Sequence, residues 1–411
     1  MQVLLTIIEL TRQTKCVIPS DECIRGARDP LTVVAAIRDS SGYGCTCPRN
    51  DTVSAQVLIG SKTKIGYTVV MLKLQFYGKL LEKTELTFEN GGVSNPTCIQ
   101  KDGLTHMFYR AVSMGNYSSL GYCQINKDKV LSRSSLPILS PEFDYEIHGT
   151  EDPRIVKVDD LYYLFYTAYD GKNARTALAT SPDLIHFQKQ GLITPSITYE
   201  QARQLFLHPS LPESYNYYAL HYQQVISPDV LLWEKDLVLF PKKIKGKFLL
   251  FHRVMPGVQY MYLDSLEQLK SEEFWRRQLR QLHEHIVINP KFWYESHKIG
   301  ASCPPIETER GWIQIYHGVE ETPGGRVYRA SAALLDLNNP TKVLGRLKEP
   351  LFSPDRAWEK EGVVSNVVFP TATDVFGDEL YIYYGAADAR VAAVSMSLSG
   401  LVEELIHNPN G

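Results

Sequence analysis

Five times along the chain, a short run of aromatic and aliphatic residues ends in an aromatic or histidine that is followed by a small, polar or basic residue. The copies are HMFYRA (106–111), YYLFYTA (162–168), KFLLFHR (247–253), WIQIYHG (312–318) and LYIYYGA (380–386). Each is preceded by a turn containing Gly or Asp: Asp102-Gly103, Asp159-Asp160, Gly246, Gly311 and Gly377-Asp378. Each also has a proline upstream (Pro96, Pro153, Pro241, Pro304 and Pro370), and the terminal aromatics Tyr109, Tyr166, His252, Tyr316 and Tyr384 lie 11 to 14 residues beyond those prolines. Two antiparallel strands and a tight hairpin fit that interval. A third strand follows several copies, as in ARTALATS (174–181), VQYMYLDS (258–265) and YRASAALLDL (328–337).

Successive units are 57, 86, 64 and 68 residues apart. Recurrence at that period marks a repeat architecture. The expected fold is therefore all-β, a five-bladed β-propeller with short helical insertions. A β-sandwich has as many strands but gives no reason for the Pro–turn–aromatic order to recur. Two stretches interrupt the repeat. Residues 195–232 form an unusually long link, and residues 265–285 carry apolar positions at the three- and four-residue intervals of a helix. As insertions they offer packing or oligomer surfaces, which leaves room for a homo-oligomer, or they shape the rim of a site.

The repeat begins only near residue 85, so the chain divides into an N-terminal extension, 1–70, of unknown structure and no assigned function, and a propeller domain, 71–411. Four of the seven cysteines (Cys16, Cys23, Cys45 and Cys47) fall in the extension, and no His pair follows at zinc-finger spacing. Cys98, Cys123 and Cys303 lie among apolar residues. They are expected to be buried thiols in a reducing, cytoplasmic compartment. The opening MQVLLTIIEL lacks a basic start and is interrupted by Glu9, so no signal peptide is expected. No apolar run reaches the length of a membrane span. Charge is balanced, 43 Lys and Arg against 46 Asp and Glu, which argues against general nucleic-acid binding and makes any basic site local. No metal-binding motif and no phosphate-binding GxxxxGK[ST] loop occurs, so neither a metal nor a cofactor is expected.

In a propeller, strand ends at the same phase of different blades converge on one mouth. Asn95, Glu151, Asp152, Lys235, Asp236 and Lys298 stand ahead of the unit prolines, while Arg110, Arg253 and His317 end the partner strands and Asp388 follows the fifth. The result is one carboxylate-bearing mouth with several basic groups. Ordinary glycoside hydrolysis needs two carboxylates. Phosphorolysis needs one acid, because phosphate is already an anionic nucleophile, and cations that overcome repulsion and hold it in line.

The segment GTEDPRIVKVDDLYYLFYTAYDG (149–171) resembles glycoside hydrolase family 130, the β-mannoside phosphorylases and related β-mannosidases. KIGASCPPIETERGWIQIYHGV (298–319), VYRASAALLDL (327–337) and the stretch from VVSNVVFP to LYIYYGAADARVA (363–392) extend the resemblance over about residues 85–405. The resemblance implies that Asp152, the Asp of EDPR, is the general acid and acts through the 3-hydroxyl of mannose. It implies a phosphate site at Lys235, Arg253, His317 and Tyr328, and sugar-binding positions at Asn95, Asp236, Lys298 and Asp388. Arg110, at the same mouth, joins the substrate-binding set. Lys235 is often Arg in phosphorylases, and Lys keeps the charge but loses the bidentate fork.

The activity implied is inverting cleavage of a β-mannoside by inorganic phosphate, the co-substrate, to give α-mannose 1-phosphate. The alternatives are hydrolysis on the same scaffold, transfer of mannose from mannose 1-phosphate in reverse, and a non-catalytic carbohydrate-binding propeller. KIGASCPPI and YYGAADARVA lean toward β-1,2-mannobiose or manno-oligosaccharides. An imidazole titrates near neutrality, so the part of His317 in phosphate binding is expected to vary with pH.

Overall fold

The computed structural model describes residues 72–409 throughout and, before them, the backbone of three strands. The chain separates into two compact units, Met1–Met71 and Leu72–Gly411. In the first, β1 (Ala36–Ile37), β2 (Val53–Ile59) and β3 (Thr63–Val69) form an antiparallel sheet. The four N-terminal cysteines lie outside the described residues.

In the second unit, each repeat copy is the second strand of an antiparallel meander. Sheet I comprises β5 (Gly92–Lys101), β6 (Leu104–Val112), β7 (Ser118–Asn126) and β8 (Lys129–Arg133). Sheet II comprises β9 (Gly149–Val158), β10 (Leu161–Tyr169), β11 (Ala174–Ser181) and β12 (Gln188–Leu192). Sheet III has β13 (Val238–Leu239), β14 (Phe248–His252), β15 (Val258–Leu263) and β16 (Ile286–Ile288). In sheet IV the first strand is broken by Ser302–Pro305 into β17 (Lys298–Ala301) and β18 (Ile306–Thr308), followed by β19 (Gly311–Thr322), β20 (Gly325–Leu335) and β21 (Val343–Arg346). Sheet V joins β22 (Val368–Phe376), β23 (Glu379–Ala386) and β24 (Arg390–Ser397) to β4 (Gln75–Leu81), which supplies the fourth strand from the other end of the unit. The expected all-β class holds.

The second strands are rich in the aromatic and β-branched residues that suit a packed pleated surface, and they are buried nearly end to end, as in β19 and β23. Burial on both faces follows from the core. Each of five apolar clusters fills the space between two consecutive sheets: I and II, II and III, III and IV, IV and V, and finally V back to I. Trp312 and Tyr316, both at 0% exposure, sit between III and IV. Burying such side chains is worth about 1.5–3 kcal/mol each. Cys98, Cys123 and Cys303 are buried free thiols, as expected.

The terminal aromatic of every copy meets a buried glutamate. Tyr109 bonds Glu89, Tyr166 bonds Glu146, Tyr316 bonds Glu295 and Tyr384 bonds Glu359, at 2.7–2.8 Å from hydroxyl to carboxylate. In sheet III, His252 Nδ1 lies 3.0 Å from Glu234 Oε2. All five glutamates are fully buried. Four are also paired with a cation: Arg133, Lys189, Arg346 and Arg356. A buried carboxylate persists only when its charge and lone pairs are met. These contacts tie the chain ahead of each sheet to the end of its second strand.

The insertions are helical. Residues 266–284 hold α3 (Glu272–Arg280) flanked by short 3-10 turns, as the periodicity predicts. The link 195–232, read from sequence only as a long connection, contains α1 (Tyr199–Phe206) and α2 (Glu213–Val225). Thr198 and Gln201 form a capping box for α1. Tyr199, Phe206, Tyr215 and Trp275 from these helices join the cluster between sheets II and III.

Candidate active site

The first strands of sheets I and II each bulge at a proline. The β5–β6 ladder skips Asn95-Pro96 and the β9–β10 ladder skips Asp152-Pro153. Proline has no N–H to give to a ladder and is confined to such irregularities. The extra residue turns its side chain out of the pleat. Asn95 and Asp152 accordingly take left-handed backbone, φ 49° and 47°, as do Asp236 (64°) and Asp388 (50°). Asn and Asp tolerate this region best, at a cost of order 1–3 kcal/mol each. Four of the ten predicted site residues share this strained geometry.

Around Asp152 the contacts are short. Asn95 Nδ2 donates to Asp152 Oδ1 at 2.7 Å. Gly385 makes room for Asn95, since a Cβ there would sit 2.1 Å from its Oδ1. Arg110 pairs with Glu151 at 2.7 Å, donates to Ser118 Oγ at 2.9 Å and reaches within 4.0 Å of Asp152. Asp388 completes this end. Burial raises its pKa; Arg110 opposes this, and the nearby carboxylates of Asp152 and Glu151 add to the rise.

At the other end, Arg253 Nη1 lies 2.5 Å from Asp236 Oδ2 and 3.4 Å from His317 Nε2. His317 Nδ1 is 2.9 Å from Ser302 Oγ. The imidazole stacks near Tyr328, ring centres 6.1 Å apart, and Lys298 Nζ lies 5.9 Å from the Tyr328 ring. Gly300 permits this crowding: a Cβ would fall 2.5 Å from His317 Cε1 and 2.8 Å from Arg253 Nη1. Arg154 approaches Asp236 from the other side at 3.8 Å.

The electrostatics follow from burial and this excess of cations. Burial alone would raise the Asp236 pKa, but Arg253, Lys235 and Arg154 outweigh it and hold the carboxyl well below its usual range. Burial, reinforced by Arg253 and Lys235, holds the Lys298 ammonium well below the usual lysine value. Lys235 resists burial because Asp152 and Asp236 both face it, and its pKa rises; it links the two ends. Burial lifts the Tyr328 phenol, with Lys235 and Arg253 opposing. His317 departs from expectation. Burial, helped by Arg253, Lys298 and Arg154 against Asp236, holds its pKa well below the ordinary value. The ring is therefore uncharged through neutrality, and the expected pH dependence at that residue is corrected.

All ten predicted residues thus fall in one cluster: Asn95, Arg110, Asp152 and Asp388 at the acidic end, Arg253, His317, Tyr328, Lys298 and Asp236 at the basic end, and Lys235 between. The sequence reading assigned no role to Glu151, Arg154, Glu234 or Ser302. Glu151 and Arg154 flank Asp152-Pro153 and Glu234 precedes Lys235, so adjacency was the available signal. Nothing local marks Ser302.

A family model described as beta-1,4-mannooligosaccharide phosphorylase matches residues 81–406. The chain belongs to glycoside hydrolase family 130. Among curated members, a 1,2-beta-oligomannan phosphorylase of Thermoanaerobacter sp. (strain X514) is 33% identical over 336 residues, covering 78% of this chain and 95% of that protein. A beta-1,2-mannobiose phosphorylase of the same strain is 33% identical over 326 residues, covering 75% and 90%. The solved beta-1,2-mannobiose phosphorylase from Listeria innocua, in complex with beta-1,2-mannobiose, has the same fold, with a TM-score of 0.60 over 81% of this chain and 99% of that one at 22% identity.

Proposed function

We propose that the chain is an inverting β-mannoside phosphorylase, a hexosyl-transferring enzyme whose co-substrate is inorganic phosphate. The observation that carries this reading is the charge layout. Asp152 sits at an end of the site that also holds Glu151 and Asp388, while the other end gathers Arg253, Lys298 and Arg154 around a single carboxylate, Asp236, with Lys235 between the two. That arrangement suits a phosphate nucleophile. Arg253, His317, Tyr328 and Lys235 hold the phosphate; Asn95, Arg110, Asp236, Lys298 and Asp388 hold the sugar.

In the step proposed, a phosphate oxygen attacks C1 of the mannosyl unit from the face opposite the leaving group. The C1–O bond to the aglycone breaks, a C1–O–P bond forms, and the anomeric centre inverts to α-mannose 1-phosphate. The proton reaching the departing oxygen comes from Asp152, relayed through the sugar 3-hydroxyl. Asn95 and Arg110 orient that carboxyl. A neutral His317 can donate one hydrogen bond to phosphate without the cost of burying another charge.

The relatives' activities and the KIGASCPPI segment favour a β-1,2-linked mannobiose or manno-oligosaccharide as substrate. The five sheets are read as the blades of a propeller, since apolar cores join each sheet to the next and the last to the first, and β4 closes sheet V. Residues 71–411 form the catalytic domain, and the free thiols favour the cytoplasm. Among the described residues no helix is long and apolar enough to cross a membrane.

The test is incubation with β-1,2-mannobiose with and without phosphate, reading α-mannose 1-phosphate by phosphorus NMR and free mannose by chromatography. Mannose 1-phosphate formation that depends on phosphate is expected. Equally fast mannose release without phosphate would establish the hydrolase instead.

A further inference from the structure

The five buried glutamates are equivalent, and sheet III departs from the other four at one point. In sheets I, II and IV the carboxylate takes a tyrosine hydroxyl and a Lys or Arg side chain from the fourth strand; in sheet V it takes Tyr384 and Arg356. Among the described residues, no Lys or Arg side chain lies within ion-pair distance of Glu234. Its Oε1 accepts instead from the backbone N–H of Arg253 at 3.2 Å, and its Oε2 faces His252 Nδ1. The guanidinium of Arg253 is thereby turned away from the lock and toward Asp236 and His317. Glu234 is also the residue before Lys235 and Asp236, so its carboxylate ties the segment ahead of β13, which carries one half of the basic cluster, to the end of β14, which carries the other. Thr176 Oγ1 holds the Glu234 carbonyl at 2.8 Å and fixes the segment from behind.

We infer that Glu234, with His252, is a positioning pair for the phosphate site: a structural lock of the repeat adapted in this one sheet to set Arg253 against Lys235 and Asp236. The inference rests on the phosphorylase reading above. Phosphate binding depends on the guanidinium lying in line with the attacking oxygen, and small misplacements of such groups are costly.

The experiment compares equivalent locks. Wild-type enzyme must first show phosphate-dependent cleavage; if it does not, the phosphorylase reading fails and this inference with it. Given that, Glu234→Gln is expected to raise the apparent KM for phosphate by about tenfold, the weight of one charge-assisted hydrogen bond, with a smaller change in the KM for the mannoside. Glu146→Gln, in the equivalent lock of sheet II, is expected to lower Tm without moving the phosphate KM. Because Glu234 acts through Arg253, adding Glu234→Gln to Arg253→Ala should raise that KM no further. His252→Gln keeps the Glu234 carboxylate and its bond to the Arg253 N–H. It carries the test if Glu234→Gln does not fold, with a rise of about fivefold expected for one neutral hydrogen bond. An unchanged phosphate KM in the folded variants, or an equal rise in Glu146→Gln, would overturn the inference while leaving the phosphorylase reading intact.

Discussion

Asp152 occupies a left-handed bulge that few residue types accept, and it is gripped by Asn95 at 2.7 Å. Asn can adopt the same backbone, so Asp152→Asn is expected to fold with near-normal Tm while losing the transferable proton. General acid help is typically worth about 10² to 10⁴ in rate. A fall in kcat of that size on an unactivated mannoside is expected, and near-normal turnover would remove Asp152 from the mechanism. Arg253→Ala separates nucleophile from sugar. It removes a buried cation and leaves Asp236 facing fewer positive charges. At about 1.5–3 kcal/mol per charge-assisted bond, the apparent KM for phosphate should rise roughly tenfold to a hundredfold. His317→Ala should weaken phosphate binding more mildly, and by the same factor at pH 6.5 and pH 8, because the buried ring stays uncharged across that range.

At the scale of single elements, the Tyr–Glu–cation lock is what lets the second strands of sheets I, II, IV and V end in a buried polar cluster. Glu295 shows it most fully. Its Oε1 takes the Tyr316 hydroxyl at 2.7 Å and Arg346 Nη2 at 2.6 Å, and its Oε2 takes the Phe292 N–H at 3.1 Å. Tyr316→Phe deletes the hydroxyl and keeps the ring between sheets III and IV. Arg346 and the backbone donor remain on the carboxylate, so the fold should survive with a loss of about 1–3 kcal/mol. Urea denaturation monitored by far-UV circular dichroism checks this. Unchanged stability would mean that the hydroxyl adds nothing beyond packing.

At the scale of the whole molecule, sheet V is completed by β4, whose residues lie 310 to 320 positions away in sequence from their partners in β24. A chain beginning at Met71 keeps β4 and is expected to fold and retain activity. A chain beginning at Lys83 lacks it, exposes the edge of β24 and uncovers the cluster between sheets V and I. That chain is expected to be insoluble or unfolded, since an open apolar edge is an aggregation site. Equal solubility of the two chains on gel filtration would contradict a closing role for β4.

Stability should also depend on pH through His297. Burial, aided by Lys298, Arg326 and Arg253, lowers its pKa to about 3, against about 6.5 when unfolded. Between those values the unfolded chain binds a proton that the native chain does not, so stability falls as pH is lowered through that window. Wild type should therefore lose more Tm between pH 7.5 and pH 5 than His297→Gln does. Parallel curves for the two proteins would sink the assignment.

The sequence determined the strands. Aromatic and aliphatic runs of fixed length, each after a turn, leave little choice but paired strands, and every one of the five copies is a second strand. The bulges at Asn95-Pro96 and Asp152-Pro153 are favoured by the missing N–H of proline but not dictated by it, since Phe369 and Pro370 both keep their places in the ladder of sheet V. In 195–232, the apolar residues of α2 are mostly tyrosines with no clean stripe to reveal the period, whereas α1 carries Tyr199, Ala202 and Phe206 on one face behind its capping box and was legible in the chain. The tertiary structure decided what the residues do to one another. That His317 is uncharged, that Arg253 turns from the repeat's lock toward Asp236, and that Ser302 stands behind the imidazole are consequences of groups far apart in sequence meeting where water is excluded. Burial and neighbouring charge set those properties, and neither is written in the order of the residues.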